Sequence, residues 1–311
     1  MRILVFGAGA IGSAFGGFLS TRHDVTLLGR AWHLERIKKR GLRVEGIWGR
    51  HTFHEFTLET NAAKLFTRRL PFNLILITVK SNDTESAARF LSNRLSPGTL
   101  VLSLQNGVGN VETLHRFLPP EQVLAGRVIF GVEIKPGKIR ITVSADKTRL
   151  GETTAKKVTE RVKNLARLFN KAGLPCEAVP DIEKFLWTKL AYNTALNPLA
   201  SVLNLHYGAL AEHDSTRFLM EEMIREVYRV AQKKKINMEP RAADGFIRVF
   251  YNKLVPRTYD HHPSMLRDLF RGRRTEIDAL NGAVAALGRK LRVPAPYNEL
   301  VTELIHSREK R

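Results

Sequence analysis

Three features of this 311-residue sequence predict an α/β fold: an N-terminal doubly wound, Rossmann-type sheet followed by an all-α C-terminal domain. An unbroken apolar run, Ile3 to Phe6, leads into glycines at 7, 9 and 12 and then a small-residue segment, Ile11 to Leu19. Further apolar runs that end in polar residues recur through residue 143. From Asp181 onward strand signals vanish and helical periodicity takes over, so the boundary is expected near Val179-Pro180, with domains 1–179 and 180–311.

Ile3 to Phe6 shows no polar alternation, as expected of a strand buried on both faces of a parallel sheet. The glycines that follow have G-x-G-x-x-G spacing. Gly7 permits a tight turn, Gly9 lets the backbone approach a pyrophosphate, and Gly12 lets the next helix pack close to the strand. The free N–H groups and partial positive charge of that helix's N-terminus suit phosphates. Glycines at this spacing arise by chance, and the strand before and helix after are the context that makes them a dinucleotide site. A secretory signal is the competing reading, but no clear A-x-A cleavage site follows.

The second strand, Asp24 to Leu28, ends at Gly29-Arg30. An acid here would accept from the ribose 2′-OH of NAD, whereas an arginine can meet the 2′-phosphate of NADP. No Asp or Glu occurs until Glu35, so the expectation is NADP(H), unless Arg30 is merely exposed. Residues 32–40 read as a basic helix, and Gly41 to Leu58 as short strands turning at Gly46 and Gly49, a hairpin insertion. Leu74 to Val79 is a buried strand stopping at Lys80, Thr84 to Leu95 a helix, and Thr99 to Leu104 a strand ending in Gln105-Asn106-Gly107. Ligands of open α/β sheets gather at the carboxyl ends of strands, which makes Lys80 and Asn106 site candidates. Asn-Gly is also a turn signal in its own right. Val123 to Phe130 and Ile139 to Val143 read as strands, and Lys156 to Ala172 as an amphipathic helix.

Composition narrows the class. Hydrophobic content of 43% and charged content of 26% fit a globular protein, and the apolar runs fall far short of a membrane span. The single cysteine, Cys176, excludes an intramolecular disulfide and suits a reducing, cytoplasmic setting. His261-His262 is the sole adjacent histidine pair, and neighbours in sequence seldom share a face, so no metal site is expected. A net charge of +20 fits attraction of anionic small molecules. The basic residues are spread along the chain without interleaved aromatics, so no nucleic-acid partner is expected.

In the second domain, Phe185 to Leu199 is apolar round most of a helix, yet Lys189, Asn193 and Asn197 recur at i, i+4 and i+8 on one face. Such groups are costly to bury without partners; the alternative is a helix edge in water. Pro198 should kink or end the helix. Ser264 follows a proline and could be an N-cap. Glu276 is expected in the first turn of a helix whose apolar stripe is Ile277, Leu280, Val284, Leu287 and Leu291.

Together these segments resemble the ketopantoate reductase (2-dehydropantoate 2-reductase) family. The likeness covers Gly7 to Gly12, Val79-Lys80, Gln105-Asn106-Gly107, Lys189…Asn193…Asn197-Pro198, Ser264-Met265 and Thr275-Glu276-Ile277-Asp278, in order and nearly end to end. The resemblance implies reduction of ketopantoate to pantoate by NADPH, a step of pantothenate and coenzyme A biosynthesis. Lys189 would be the general acid and Glu276 would hold substrate hydroxyls. Asn193 and Asn197 would position the substrate and Lys189, and Ser264 would bind the substrate carboxylate. Gly7, Ala8, Gly9, Ala10, Ile11 and Gly12 would hold the cofactor with Arg30, while Lys80, Asn106 and Glu276 would reach both cofactor and substrate. A lysine can protonate an alkoxide near neutral pH if burial lowers its pKa. Relatives include dimers, so the resemblance admits a homodimer.

Two positions depart from the family pattern. Tyr207 stands where members often carry an asparagine before glycine, and His261 stands where another asparagine precedes the Ser-Met pair. Both bear on which 2-keto acid is taken, and a reductase of a different branched 2-keto acid is the alternative. A non-catalytic dinucleotide sensor is a further one, against which the presence of both Lys189 and Glu276 argues.

Overall fold

The computed structural model describes residues 1–66 and 71–310. It divides into two compact units, Met1–Gln105 with Asn110–Ile182, and Asn106–Gly109 with Glu183–Arg311.

The first unit is built on a sheet that, among the described residues, has eight strands. In chain order the strands of this unit are β1 (Arg2–Phe6), β2 (Asp24–Leu28), β3 (Leu42–Gly46), β4 (His51–Phe53), β5 (Thr57–Glu59), β6 (Leu74–Ile77), β7 (Leu100–Ser103), β8 (Val123–Arg127), β9 (Phe130–Lys135), β10 (Lys138–Ser144), β11 (Thr148–Glu152) and β12 (Cys176–Ala178). The main sheet runs β12-β11-β8-β7-β6-β1-β2-β5, parallel except where β11 meets β8. Its central strands are the uninterrupted apolar runs; Ile3, Leu4, Val5 and Leu74 to Ile77 are wholly buried. Helices α1 (Ala10–Ser20), α2 (Ala31–Arg40), α3 (Thr84–Leu91), α4 (Asn110–His115) and α5 (Glu160–Lys171) fall between strands. The strand order reverses at β1, which lies between β2 and β6, and such a reversal opens a ligand crevice at the carboxyl ends.

Two sequence expectations change here. The segment 41–58 is not a free-standing hairpin. β3 and β4 pair antiparallel, but β3 also pairs parallel with the distant β10, giving a second sheet β4-β3-β10-β9. β5 instead joins the main sheet beside β2, with Leu58 opposite Leu27. The run 123–130 is likewise two strands: β8 lies in the main sheet and β9 begins at Phe130 in the small one.

The second unit is helical among its described residues: α6 (Ile182–Leu203, whose first residue closes the first unit), α7 (Tyr207–Leu210), α8 (Asp214–Lys233), α9 (Ala243–Val249), α10 (Ser264–Phe270), α11 (Asn281–Leu291) and α12 (Pro296–Glu309). Their apolar stripes meet in one core around Trp187, Leu196, Met223, Val227, Phe250 and Ile277.

Pro198 neither ends nor interrupts α6, which runs on to Leu203. Proline has no N–H for the carbonyl of Thr194, four residues back. That carbonyl instead accepts from Asn281 Nδ2 at 3.0 Å. Asn281 Nδ2 also donates to Asn298 Oδ1 at 3.0 Å, and Asn298 donates to the carboxylate of the wholly buried Glu226 at 2.6 Å. Glu226 in turn accepts from the backbone N–H groups of Tyr297 and Asn298, both at 2.9 Å. A buried carboxylate is satisfied by the N-terminus of α12, whose dipole favours it.

Candidate active site

In the first unit the carboxyl ends of β1, β2 and β6 converge on the glycine turn. The N–H groups of Gly7 and Ala8 both donate to Leu28 O, at 3.1 and 2.7 Å, and Thr78 Oγ1 donates to Gly7 O at 2.7 Å. Gly7 has φ +113°, and a Cβ there would lie 2.6 Å from Val79 N. At Gly12 a Cβ would lie 2.3 Å from Gly7 O, so close packing of α1 on β1 demands glycine. Gly9 differs. A Cβ there would meet only Gly7 O, at 3.9 Å, so nothing in the chain itself forbids a side chain. The backbone at Gly9 is thus open to approach, and a turn open at the N-terminus of α1 fits a dinucleotide pyrophosphate.

Arg30 is exposed at the N-cap of α2, whose first turn holds no described acid. The strand order does bring in one acid that sequence reading missed: Glu59 ends β5, and its backbone O accepts from Gly29 N at 3.1 Å. Its carboxylate is turned to its own loop, accepting from Thr60 N and Asn61 N at 2.9 Å each. Lys80 is half-buried just past β6, capping a 3-10 turn over Ser81–Asp83.

The second unit gathers the polar residues of its sequence stripe with the Asn-Gly segment. Lys189 Nζ donates to Asn106 Oδ1 at 2.6 Å, and Asn106 Nδ2 donates to Glu276 Oε2 at 3.3 Å. One amide thus bridges an ammonium and a carboxylate, and the two charges fix which way it faces. Asn106 is held by its neighbours: Val108 N donates to Ala279 O at 2.9 Å, and a Cβ on Gly107 would lie 2.2 Å from that same oxygen. Gly107, at φ +79°, is therefore required by contact as well as by the turn.

Asn106, Asn197, Ser264 and Glu276 line one small cavity together with Met265, Asp268 and Leu280. Asn193, one turn from both Lys189 and Asn197, is buried and does not line it. Asp268 was not singled out from sequence, although it lies four residues after Ser264 and so on the same face of α10. Ser264 is not the N-cap of α10: Pro263 holds that place, and Ser264 is the first helical residue, exposed. Glu276 is not in the first turn of α11 either. It precedes a 3-10 turn, Ile277–Ala279, and the chain breaks at Leu280 before α11 begins at Asn281. That break separates Glu276 from the helix and brings it within reach of Asn106.

A wider groove lies on the small sheet, lined by Glu45, Ile47, Arg50 and Arg140 among others, with the Glu45 carboxylate paired to Lys138 Nζ at 2.6 Å.

Residues 3–155 match the family model "Ketopantoate reductase PanE/ApbA", and residues 181–309 match "Ketopantoate reductase PanE/ApbA C terminal". The chain is 42% identical to a 2-dehydropantoate 2-reductase of Aquifex aeolicus, across 99% of this chain and 97% of that protein. It is similar to a crystal structure of a PanE/ApbA family ketopantoate reductase from Ralstonia eutropha (31% identity, TM-score 0.88, 100% of this chain and 99% of that one). It is also similar to D-mandelate dehydrogenase in a ternary structure with NADH and anilino(oxo)acetate (27% identity, TM-score 0.89, 100% and 98%).

Proposed function

The chain belongs to the ketopantoate reductase family, and on that premise we propose that it reduces 2-dehydropantoate to pantoate with NADPH, Lys189 supplying the proton. The observation that carries this reading is the relay Lys189–Asn106–Glu276 beside a cavity lined by Asn197 and Ser264. Bound nicotinamide supplies hydride to the ketone carbon. Negative charge then grows on the ketone oxygen, where the Lys189 ammonium stabilises it and delivers a proton. Asn106 holds that ammonium in place through its Oδ1. The Glu276 carboxylate accepts from substrate hydroxyl, and Ser264 and Asn197 offer donors to the substrate carboxylate.

Gly7 to Gly12 cradle the pyrophosphate under this reading. Arg30 meets a 2′-phosphate, supported by the commitment of the Glu59 carboxylate to its own loop. The enzyme then works in the cytoplasm on a small 2-keto acid, without nucleic-acid or membrane partners, and can pair as a homodimer.

A second reading, reduction of a different branched or aromatic 2-keto acid, is favoured by Tyr207, which fills space beside Asn197. Both are tested by mixing purified protein with NADPH and a panel of ketopantoate, 2-ketoisovalerate and phenylglyoxylate, and following loss of NADPH absorbance. The first reading requires the highest kcat/KM with ketopantoate. A higher value with another acid selects the second, and no turnover with any of them refutes both.

A further inference from the structure

Tyr207 lies outside the cavity but touches a residue that lines it. Its Oη donates to Asn197 Oδ1 at 2.5 Å. The ring is buried, packed edge-on to Tyr192 at 6.1 Å between centroids and against the His261 imidazole at 5.1 Å. Its backbone is also tied down: Tyr207 N donates to His261 O at 3.1 Å and Gly208 N to Tyr259 O at 2.8 Å, on the segment that leads into Ser264.

We infer that Tyr207 is a positioning and specificity residue: by occupying the Asn197 carbonyl oxygen it leaves the Asn197 amide N–H groups to face the cavity, selecting a substrate that presents an acceptor oxygen, such as a carboxylate, at that point. An asparagine amide offers two donors at one end and an acceptor at the other, and a flip exchanges them. A hydroxyl donor on the carbonyl side settles the choice. Burial pushes the Tyr207 phenol well above its ordinary value, so the hydroxyl keeps its proton and remains a donor. Without that bond nothing on the carbonyl side keeps the amide from flipping, and a flip would turn its oxygen toward an oxyanion in the cavity.

The inference rests on the proposed 2-keto acid reductase activity, and its test separates the two. Tyr207→Phe removes only the hydroxyl. In wild type that turns over ketopantoate, the variant is expected to raise KM for the keto acid about ten-fold, with kcat within about two-fold and NADPH affinity unchanged. Asn197→Ala should raise KM by a similar factor. Because Tyr207 acts through Asn197, the double variant should be no worse than Asn197→Ala alone. Factors that multiply in the double variant, or an unchanged KM in Tyr207→Phe, would overturn the inference while leaving the activity standing. Asn197→Asp gives an independent check should Tyr207→Phe not fold. It keeps an acceptor for Tyr207 but turns an acceptor to the cavity, so KM for the keto acid should rise more than ten-fold. Wild-type binding by that variant would also overturn it. A wild type inactive on every 2-keto acid points instead to failure of the activity.

Discussion

Lys189 Nζ lies 2.6 Å from Asn106 Oδ1, joining two positions 83 residues apart within the helical unit. The bond gives the ammonium a fixed address beside the Glu276 carboxylate that the same amide reaches. Lys189→Ala removes both the charge and the proton. Its kcat should fall about 10²–10⁴-fold, the usual contribution of a positioned general acid, while NADPH binding measured by fluorescence is kept. Turnover equal to wild type would move the proton donor elsewhere.

The Thr194 carbonyl, freed by Pro198, depends on Asn281 Nδ2 at 3.0 Å. Asn281→Ala leaves that carbonyl and Asn298 Oδ1 without this donor in a buried site, and each orphaned group costs about 1–3 kcal/mol. The urea midpoint should drop accordingly. Adding Pro198→Ala restores an N–H within reach of Thr194 O, so the double variant should recover part of the loss. If Pro198→Ala makes Asn281→Ala no better, the carbonyl is not what Asn281 satisfies.

These two contacts show what local sequence can and cannot reveal. The glycine turn and the ends of β1, β2 and β6 were legible because strand burial and glycine spacing are local patterns. Lys189 and Asn197 were legible because helical periodicity placed them on one face. The continuation of α6 was not, since it relies on Asn281, 87 residues away. The same holds for β3 pairing with β10, and for Glu59, which reaches Gly29 at the end of β2 only because β5 adds to the sheet edge. Tyr207 showed in sequence as a departure, but its hydroxyl partner is a matter of packing.

Glu152 ends β11 and is almost wholly buried. Burial alone would raise its carboxyl, but the Arg161 guanidinium, with Nε at 2.7 Å, and the Thr159 hydroxyl hold it below the ordinary value of 4.5. A depressed carboxylate contributes stability above its unfolded value, and that contribution is lost as pH falls through the folded value. Wild type should therefore melt above Glu152→Gln near about pH 7, with the gap closing below about pH 4. A gap that stays constant down to about pH 3 would show that the charge does not matter there.

Arg30 caps α2 at the end of β2, and Glu59, an acid that the sheet brings alongside β2, accepts with its carboxylate from Thr60 N and Asn61 N. Among the described residues the position therefore offers a cation, with no acid in the first turn of α2 and the Glu59 carboxylate held by its own loop. A charge-assisted bond to phosphate contributes about 1.5–3 kcal/mol. Arg30→Ala should then raise KM for NADPH roughly 10- to 100-fold while moving KM for NADH less than about two-fold, since NADH lacks the phosphate. Steady-state rates with each cofactor at saturating keto acid give both numbers. An equal shift for the two cofactors would mean that Arg30 supports the α2 turn rather than reading the phosphate.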